Sequence, residues 1–153
     1  MLYSKIASLE AEVFSDSWSA ESIEDTLRHD YNRIYYAAGA SDRYEILTDA
    51  EDCDGEIKIL GYIIASYVGD ETELLRIAVD NEKRKMGVGK RLMQSYLEDA
   101  EKICVSGFLE VRSHNLPAKA LYEKTGYKKI ATRKNYYREP LEDADIYQIN
   151  FTK

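Results

Sequence analysis

Two side chains in this sequence have the types and spacing that proton transfer requires. Glu110 interrupts the apolar run Gly107-Phe108-Leu109-Glu110-Val111, which reads as a short strand. A carboxylate set into such a run is partly desolvated, so it is either paired or raised in pKa toward working pH, as a general base would be. Twelve positions on, Tyr122 lies within Leu116 to Lys124, which reads as a helix. Its phenol could act as the acid opposite that base. Two plainer readings stay open: Glu110 as the ion-pair partner of Arg112 or exposed at a strand end, and Tyr122 as a core aromatic beside Leu121.

A third feature would hold an anion. Arg84-Lys85-Met86-Gly87-Val88-Gly89-Lys90 lies between an apolar strand-like run and an amphipathic helix-like run. The first amides of a helix have no intrahelical acceptor, and with the helix dipole they favour phosphate. Glycines let the backbone approach such a ligand without a Cβ in the way. Known nucleotide patterns do not fit. A Walker A loop would need a hydroxyl where Arg91 stands and a glycine where Arg84 stands; a dinucleotide fingerprint would need a third glycine at Leu92. An ordinary tight turn remains the alternative. Asp52-Cys53-Asp54-Gly55 suggests a calcium loop, but Ala50 and Gly61 occupy its first and twelfth ligand positions, so no metal is expected.

The elements that must position these groups follow from periodicity and capping. Leu2, Ile6, Leu9 and Val13 mark a helix over Leu2 to Phe14, and Ser19 caps a second running to about His29. Strands are expected over Arg33 to Ala40, Ile57 to Val68 with Gly61 a bulge, and Leu74 to Val79. The polar stretch Ser41 to Glu56 reads as a long hairpin loop. A helix over Val88 to Ile103, a strand over Gly107 to Val111 and the helix Leu116 to Lys124 follow, with Pro117 in the first turn and Gly126 just past the end. Tyr127 to Asn135 and Asp145 to Thr152 close the chain as strands. The order ααβββαβαββ describes one α/β (α+β) domain: a mixed, mostly antiparallel sheet flanked by helices, with ligands expected at the carboxyl ends of its central strands.

Bulk properties narrow the partners. The chain has 153 residues, 44% of them hydrophobic and 32% charged, enough for one domain with a real core. A net charge of −7 disfavours nucleic acid and suits a basic peptide or polyamine. Cys53 and Cys104 give neither a disulfide framework nor metal spacing, so a reduced, cytoplasmic setting is expected. No run reaches membrane-spanning length, and no secretory signal supports Asn150-Phe151-Thr152 as a glycosylation site. Thirteen tyrosines against three phenylalanines imply aromatic surface whose hydroxyls are wet or bonded.

Arg84-x-x-Gly87-x-Gly89, preceded by "LLRIAVD" (Leu74 to Asp80), resembles the cofactor motif and central strand of the GNAT N-acetyltransferases. "LEVRSHNLPAKALYEKTGY" (Leu109 to Tyr127) is similar to the strand and helix that follow it there. "RKNYYREPLEDA" (Arg133 to Ala144) and "FSDSWSAES" (Phe14 to Ser22) resemble stretches of one subfamily, the bacterial ribosomal-protein-alanine N-acetyltransferases.

That resemblance implies acetyl-CoA as cosubstrate. Its pyrophosphate would lie on the amides of Lys85, Met86, Gly87, Val88, Gly89 and Lys90, beside Arg84. Its arm would bond the backbone of Ile77, Ala78 and Val79, with Asn115 and Tyr122 also in contact. Glu110 falls on the general base and Tyr122 on the general acid, and Val79 N–H would stabilise the oxyanion. Trp18, Tyr136 and Tyr137 fall on the loops that wall the acceptor. Arg76 stands where the pattern has a smaller polar residue, on the acceptor side. The implied acceptor is a protein N-terminus, of a ribosomal protein beginning with alanine. An α-amine, with a pKa of about 7.7–8.0, needs less help than a lysine at about 10.4. The alternatives are a lysine or small-molecule amine as acceptor, or a non-catalytic acetyl-CoA-binding module.

Overall fold

The computed structural model describes residues 2–40, 43–49, 57–82 and 87–151. Its elements are α1 (Leu2–Val13), α2 (Ala20–Leu27), β1 (Asn32–Ala40), β2 (Arg43–Thr48), β3 (Lys58–Val68), β4 (Glu71–Val79), α3 (Val88–Ile103), β5 (Ser106–Arg112), α4 (Leu116–Lys124), β6 (Lys128–Arg138) and β7 (Leu141–Asn150). The seven strands form one sheet in the order β2-β1-β3-β4-β5-β7-β6, antiparallel except between β4 and β5. The α/β class and flanking helices are as expected.

One element departs from the expected order. Arg43–Thr48, inside the stretch read as loop, is an edge strand paired with β1 from Tyr35↔Thr48 to Ala40↔Arg43. The polar composition misled because an edge strand can be exposed on one face. Tyr44 and Ile46 pack on the larger core, while Arg43, Glu45 and Thr48 are exposed. The acidic segment after it, and Cys53 within it, lie outside the described residues. The β6–β7 hairpin is also longer than expected: its strands extend to Arg138 and begin again at Leu141.

Helix boundaries follow their caps. Ser19 Oγ accepts from Ser22 N–H at 3.1 Å, opening α2. Asn115 Oδ1 accepts from Ala118 N–H at 3.3 Å, opening α4 with Pro117 in its first turn. Gly126, at φ +110°, ends α4 in a conformation few other residues adopt.

Two apolar layers sandwich the first half of the sheet. In β1, Ile34 and Tyr36 face α1 and α2, whereas Tyr35 and Ala37 face α3. Such a strand is buried on both sides and reads as a continuous apolar run. The second half differs. Leu109, Val111 and Tyr147 pack into the α3/α4 layer, but the α1/α2 cluster contains no residue of β5, β6 or β7. The opposite face of that half is therefore half open, and it carries Phe108, Glu110 and Arg112.

Candidate active site

The site arises where two parallel strands part. The β4–β5 ladder runs from Glu71↔Ser106 to Leu74↔Leu109 and stops, although β4 continues to Val79 and β5 to Arg112. The divergence coincides with a bulge in β4: Ile64 pairs with Arg76 and Ala65 with Leu74, leaving Leu75 as the extra residue. Beyond it, Asp80 N–H donates to Leu60 O at 2.8 Å, so alternation turns Ala78's backbone toward β3 as well. The N–H and C=O groups of Ile77 and Val79 consequently point the other way, into the gap. They form a short internal strand edge, ready to accept an extended ligand.

A cleft of ≈ 540 Å³ occupies this gap. Of the expected cofactor contacts, it is lined by Ile77, Ala78, Val79, Gly87, Gly89, Lys90, Asn115 and Tyr122. Arg84, Lys85 and Met86 lie outside the described residues, so the anion-holding half of the turn is seen only from Gly87 onward. There Gly87 has φ +77°, a left-handed residue at the N-cap of α3. Arg91 N–H bonds Gly87 O at 3.0 Å, which leaves the preceding amides of Val88, Gly89 and Lys90 without a helical acceptor. Val88 itself is buried; its side chain packs in the core and only its backbone faces the turn.

Glu110 and Arg76 lie on the α1 side of the sheet and Tyr122 on the α3/α4 side, with the gap between them. Glu110 is about a quarter exposed, and its ion-pair partner is Arg133, at 3.6 Å. The sequence alternative of pairing with Arg112 does not hold. Arg112 shares the face but pairs with Glu142 at 3.5 Å and stacks over Tyr137 at 4.2 Å. Tyr136 is exposed at the mouth, and its hydroxyl is held above the usual phenol value first by its bond to Glu110. Tyr137 lines the cleft; burial, then the Glu110 charge, pushes its phenol up to about 12. Glu73, which the sequence gave no reason to single out, is raised by burial and by Glu110 nearby.

Tyr122 is 4% exposed, with its ring 6.0 Å from that of Tyr127 and 6.4 Å from that of Tyr147. Burial, and then Tyr127 and Tyr137, hold its phenol well above the ordinary value. It is thus protonated at neutral pH, as a donor must be. It is also a core aromatic, so the two sequence readings coexist.

The α1 side of the cleft is built around Arg76. Its Nε donates to Glu10 Oε1 and its Nη2 to Glu10 Oε2, both at 2.8 Å. Its guanidinium lies 3.9 Å from the Phe14 ring and 5.1 Å from the Trp18 ring. Glu10 is fully buried, and it also accepts from the Tyr62 hydroxyl and, at 3.2 Å, from Trp18 N–H. Phe14, Val13 and Asp16 line the cleft, whereas Trp18 stands behind them and holds the turn between α1 and α2. Glu10 is the functional neighbour that sequence reasoning missed. Its signal was a carboxylate four residues after Ile6, on the apolar stripe of α1.

Among the described residues, no group of His, Cys, Asp and Glu could hold a metal ion, and no helix is long and apolar enough to cross a membrane.

Residues 4–127 match the acetyltransferase (GNAT) family, and the chain belongs to it. Among curated relatives, the [ribosomal protein bS18]-alanine N-acetyltransferase of Escherichia coli (strain K12) is 38% identical over 92 residues, covering 58% of this chain and 62% of that protein. A Bacillus subtilis (strain 168) protein provisionally named for the same activity is 30% identical over 95% of this chain and 87% of its own length. The crystal structure of the ribosomal-protein-S18-alanine N-acetyltransferase from Escherichia coli superposes with a TM-score of 0.76 at 25% identity, covering 99% of this chain and 88% of that one. Arabidopsis thaliana NAA60 in complex with acetyl-CoA shares the fold, with a TM-score of 0.77 at 17% identity, covering 97% and 92%.

Proposed function

We propose that this chain moves the acetyl group of acetyl-CoA to the N-terminal α-amine of a protein, by direct attack in a ternary complex. The observation that carries the reading is the gap itself. A carboxylate sits on one face, a protonated phenol on the other, and unpaired strand amides lie between them. The acetyl-CoA pyrophosphate rests on the amides from Lys85 to Lys90 beside Arg84. Its arm pairs with Ile77 and Val79, and Asn115 and Tyr122 flank it. The acceptor enters from the open face, between the Phe14–Trp18 turn with Arg76 and the Tyr136–Tyr137 hairpin.

Glu110 takes the proton that the attacking amine must lose, directly or through one water. The amine nitrogen then bonds the acetyl carbon, and Val79 N–H, aimed into the gap, stabilises the oxyanion. As the carbon–sulfur bond breaks, Tyr122 protonates the departing thiolate. Cys104, buried at the far end of α3, does not line the cleft and takes no part.

The names of the Escherichia coli and Bacillus subtilis relatives support, as acceptor, the N-terminal alanine of a ribosomal protein. Incubation with acetyl-CoA and alanyl peptides, other N-terminal peptides, lysine side chains and polyamines tests this. An acetyl mass on the alanyl peptides is expected. Labelling only of side-chain or small amines would overturn the acceptor, and cofactor binding without acetylation of any amine would overturn the activity.

A further inference from the structure

The Arg76 guanidinium has five N–H donors, and the structure accounts for one edge of them. Nε and Nη2 engage Glu10 at 2.8 Å, Nη2 also reaches Asp16 O at 3.2 Å, and the Tyr62 hydroxyl lies against the same guanidinium. Nη1 makes no hydrogen bond to any described residue. It is not a buried orphan either: among the described residues, the buried unpaired side-chain atoms are Asn32 Oδ1 and Tyr127 OH. The side chain is 15% exposed and lines the cleft.

The placement depends on the β4 bulge. Leu74 and Ile77 pack in the α3 layer and Leu75 in the α1/α2 layer. With strict alternation Arg76 would join Leu74 on the α3 side. The extra residue turns it to the α1 side, the face that Glu110 also occupies.

The charge balance says what that edge can bind. The Glu10 carboxylate, fully buried and in bidentate contact, offsets the guanidinium charge, and Asp16 Oδ1 adds a second acidic group 3.8 Å away. An Arg so compensated offers donors with no surplus positive charge. It therefore suits a neutral oxygen better than a carboxylate or phosphate. Donors fixed by a buried pair and two aromatic rings lose little freedom on binding.

We propose that Arg76 Nη1 donates to the first backbone carbonyl of the acceptor peptide, orienting its α-amine toward Glu110. This rests on the N-terminal acetyltransferase reading and sharpens it: the site requires an amide carbonyl two bonds from the amine. A lysine side chain or polyamine has none there.

The test is a cycle between Arg76→Gln and an alanyl peptide whose first amide is replaced by an (E)-alkene, which keeps the shape and removes the carbonyl. On the normal peptide, kcat/KM should fall about 30-fold in the variant, the scale of a hydrogen bond from a charged donor. On the alkene peptide it should fall less than about threefold, because the partner is already gone. Equal losses on both peptides would show that Arg76 only holds the α1–α2 turn, and would overturn the proposal. Arg76→Lys provides a second cycle with the same criterion. If neither variant folds, 15N-arginine spectra of the wild-type chain decide: the Arg76 Nη resonances should shift with the normal peptide and not with the alkene, and identical responses refute the contact. Failure of the underlying reading looks different, because the wild-type enzyme would then acetylate neither peptide.

Discussion

The two halves of the sheet are built for different tasks. β1, β3 and β4 are covered on both faces, with Tyr36, Ile63 and Ile64 at 1% exposure or less. β5, β7 and β6 carry helical cover on one face, and most of β6 is exposed along its length. The first half concentrates the buried area that stabilises the fold. The second leaves charged and phenolic groups within reach of a ligand, at the cost of the packing that a second helical layer would supply. The site lies on the seam between them.

Changes at the seam should affect rate far more than stability. Glu110→Gln and Tyr122→Phe are each expected to lower kcat with saturating peptide by about 10²–10⁴-fold, with little change in acetyl-CoA affinity. Steady-state kinetics beside a binding titration checks this. If both variants keep wild-type rates, the assigned proton transfers are wrong.

Truncation in the two halves should separate them next. Ile63→Ala, in the doubly covered half, should cost about 2–5 kcal/mol in a denaturant melt. Ile130→Ala, at 52% exposure on β6, should stay within about 0.5 kcal/mol. Comparable losses would erase the distinction between the halves.

Gly87→Ala should cost about 1–2 kcal/mol, because the position holds a positive φ. Space is not the obstacle there, since a Cβ would meet nothing within 4 Å. Weaker acetyl-CoA binding with an unchanged peptide KM would tie the turn to the cofactor; the reverse pattern would not.

Titration should give the smallest effects. Burial raises the phenols of Tyr67 and Tyr147 to about 12. A raised tyrosine contributes stability that is intact below its unfolded value of ~10 and is lost as pH rises toward 12. Asp145 behaves oppositely. Its burial would raise it, but Lys119 at 2.7 Å, Thr132 at 3.0 Å and Lys129 at 3.3 Å outweigh that and leave it lowered. Its contribution is present above pH ~4 and disappears as pH falls further. Melting curves from pH 3 to 12 should slope at both ends, and Asp145→Asn should flatten the acid end alone.

Much of this was legible in the chain. Period placed α3, and period with end signals placed α2 and α4, because Ser19, Pro117 and Gly126 act through neighbours only a few residues away. The strand Ile77 to Val79 and the start of α3 after Gly87 were legible for the same reason: they follow each other closely in the chain. The strand β2 escaped notice because its pairing, not its composition, makes it a strand. Glu10 with Arg76, 66 residues apart, and Glu110 with Arg133 escaped because each pair is joined only by folding. The same distance hid the bulge that aims Arg76, since an extra residue is defined only against the partner strand.

The early end of the β4–β5 ladder also has a kinetic meaning. On the proposed reading, a donor filling the strand edge comes from the helical side, and an acceptor meeting Glu110 comes from the open side. The sheet stands between the two routes like a wall pierced by one window. Neither molecule has to back out for the other to arrive, so arrivals and departures on the two sides can follow any sequence.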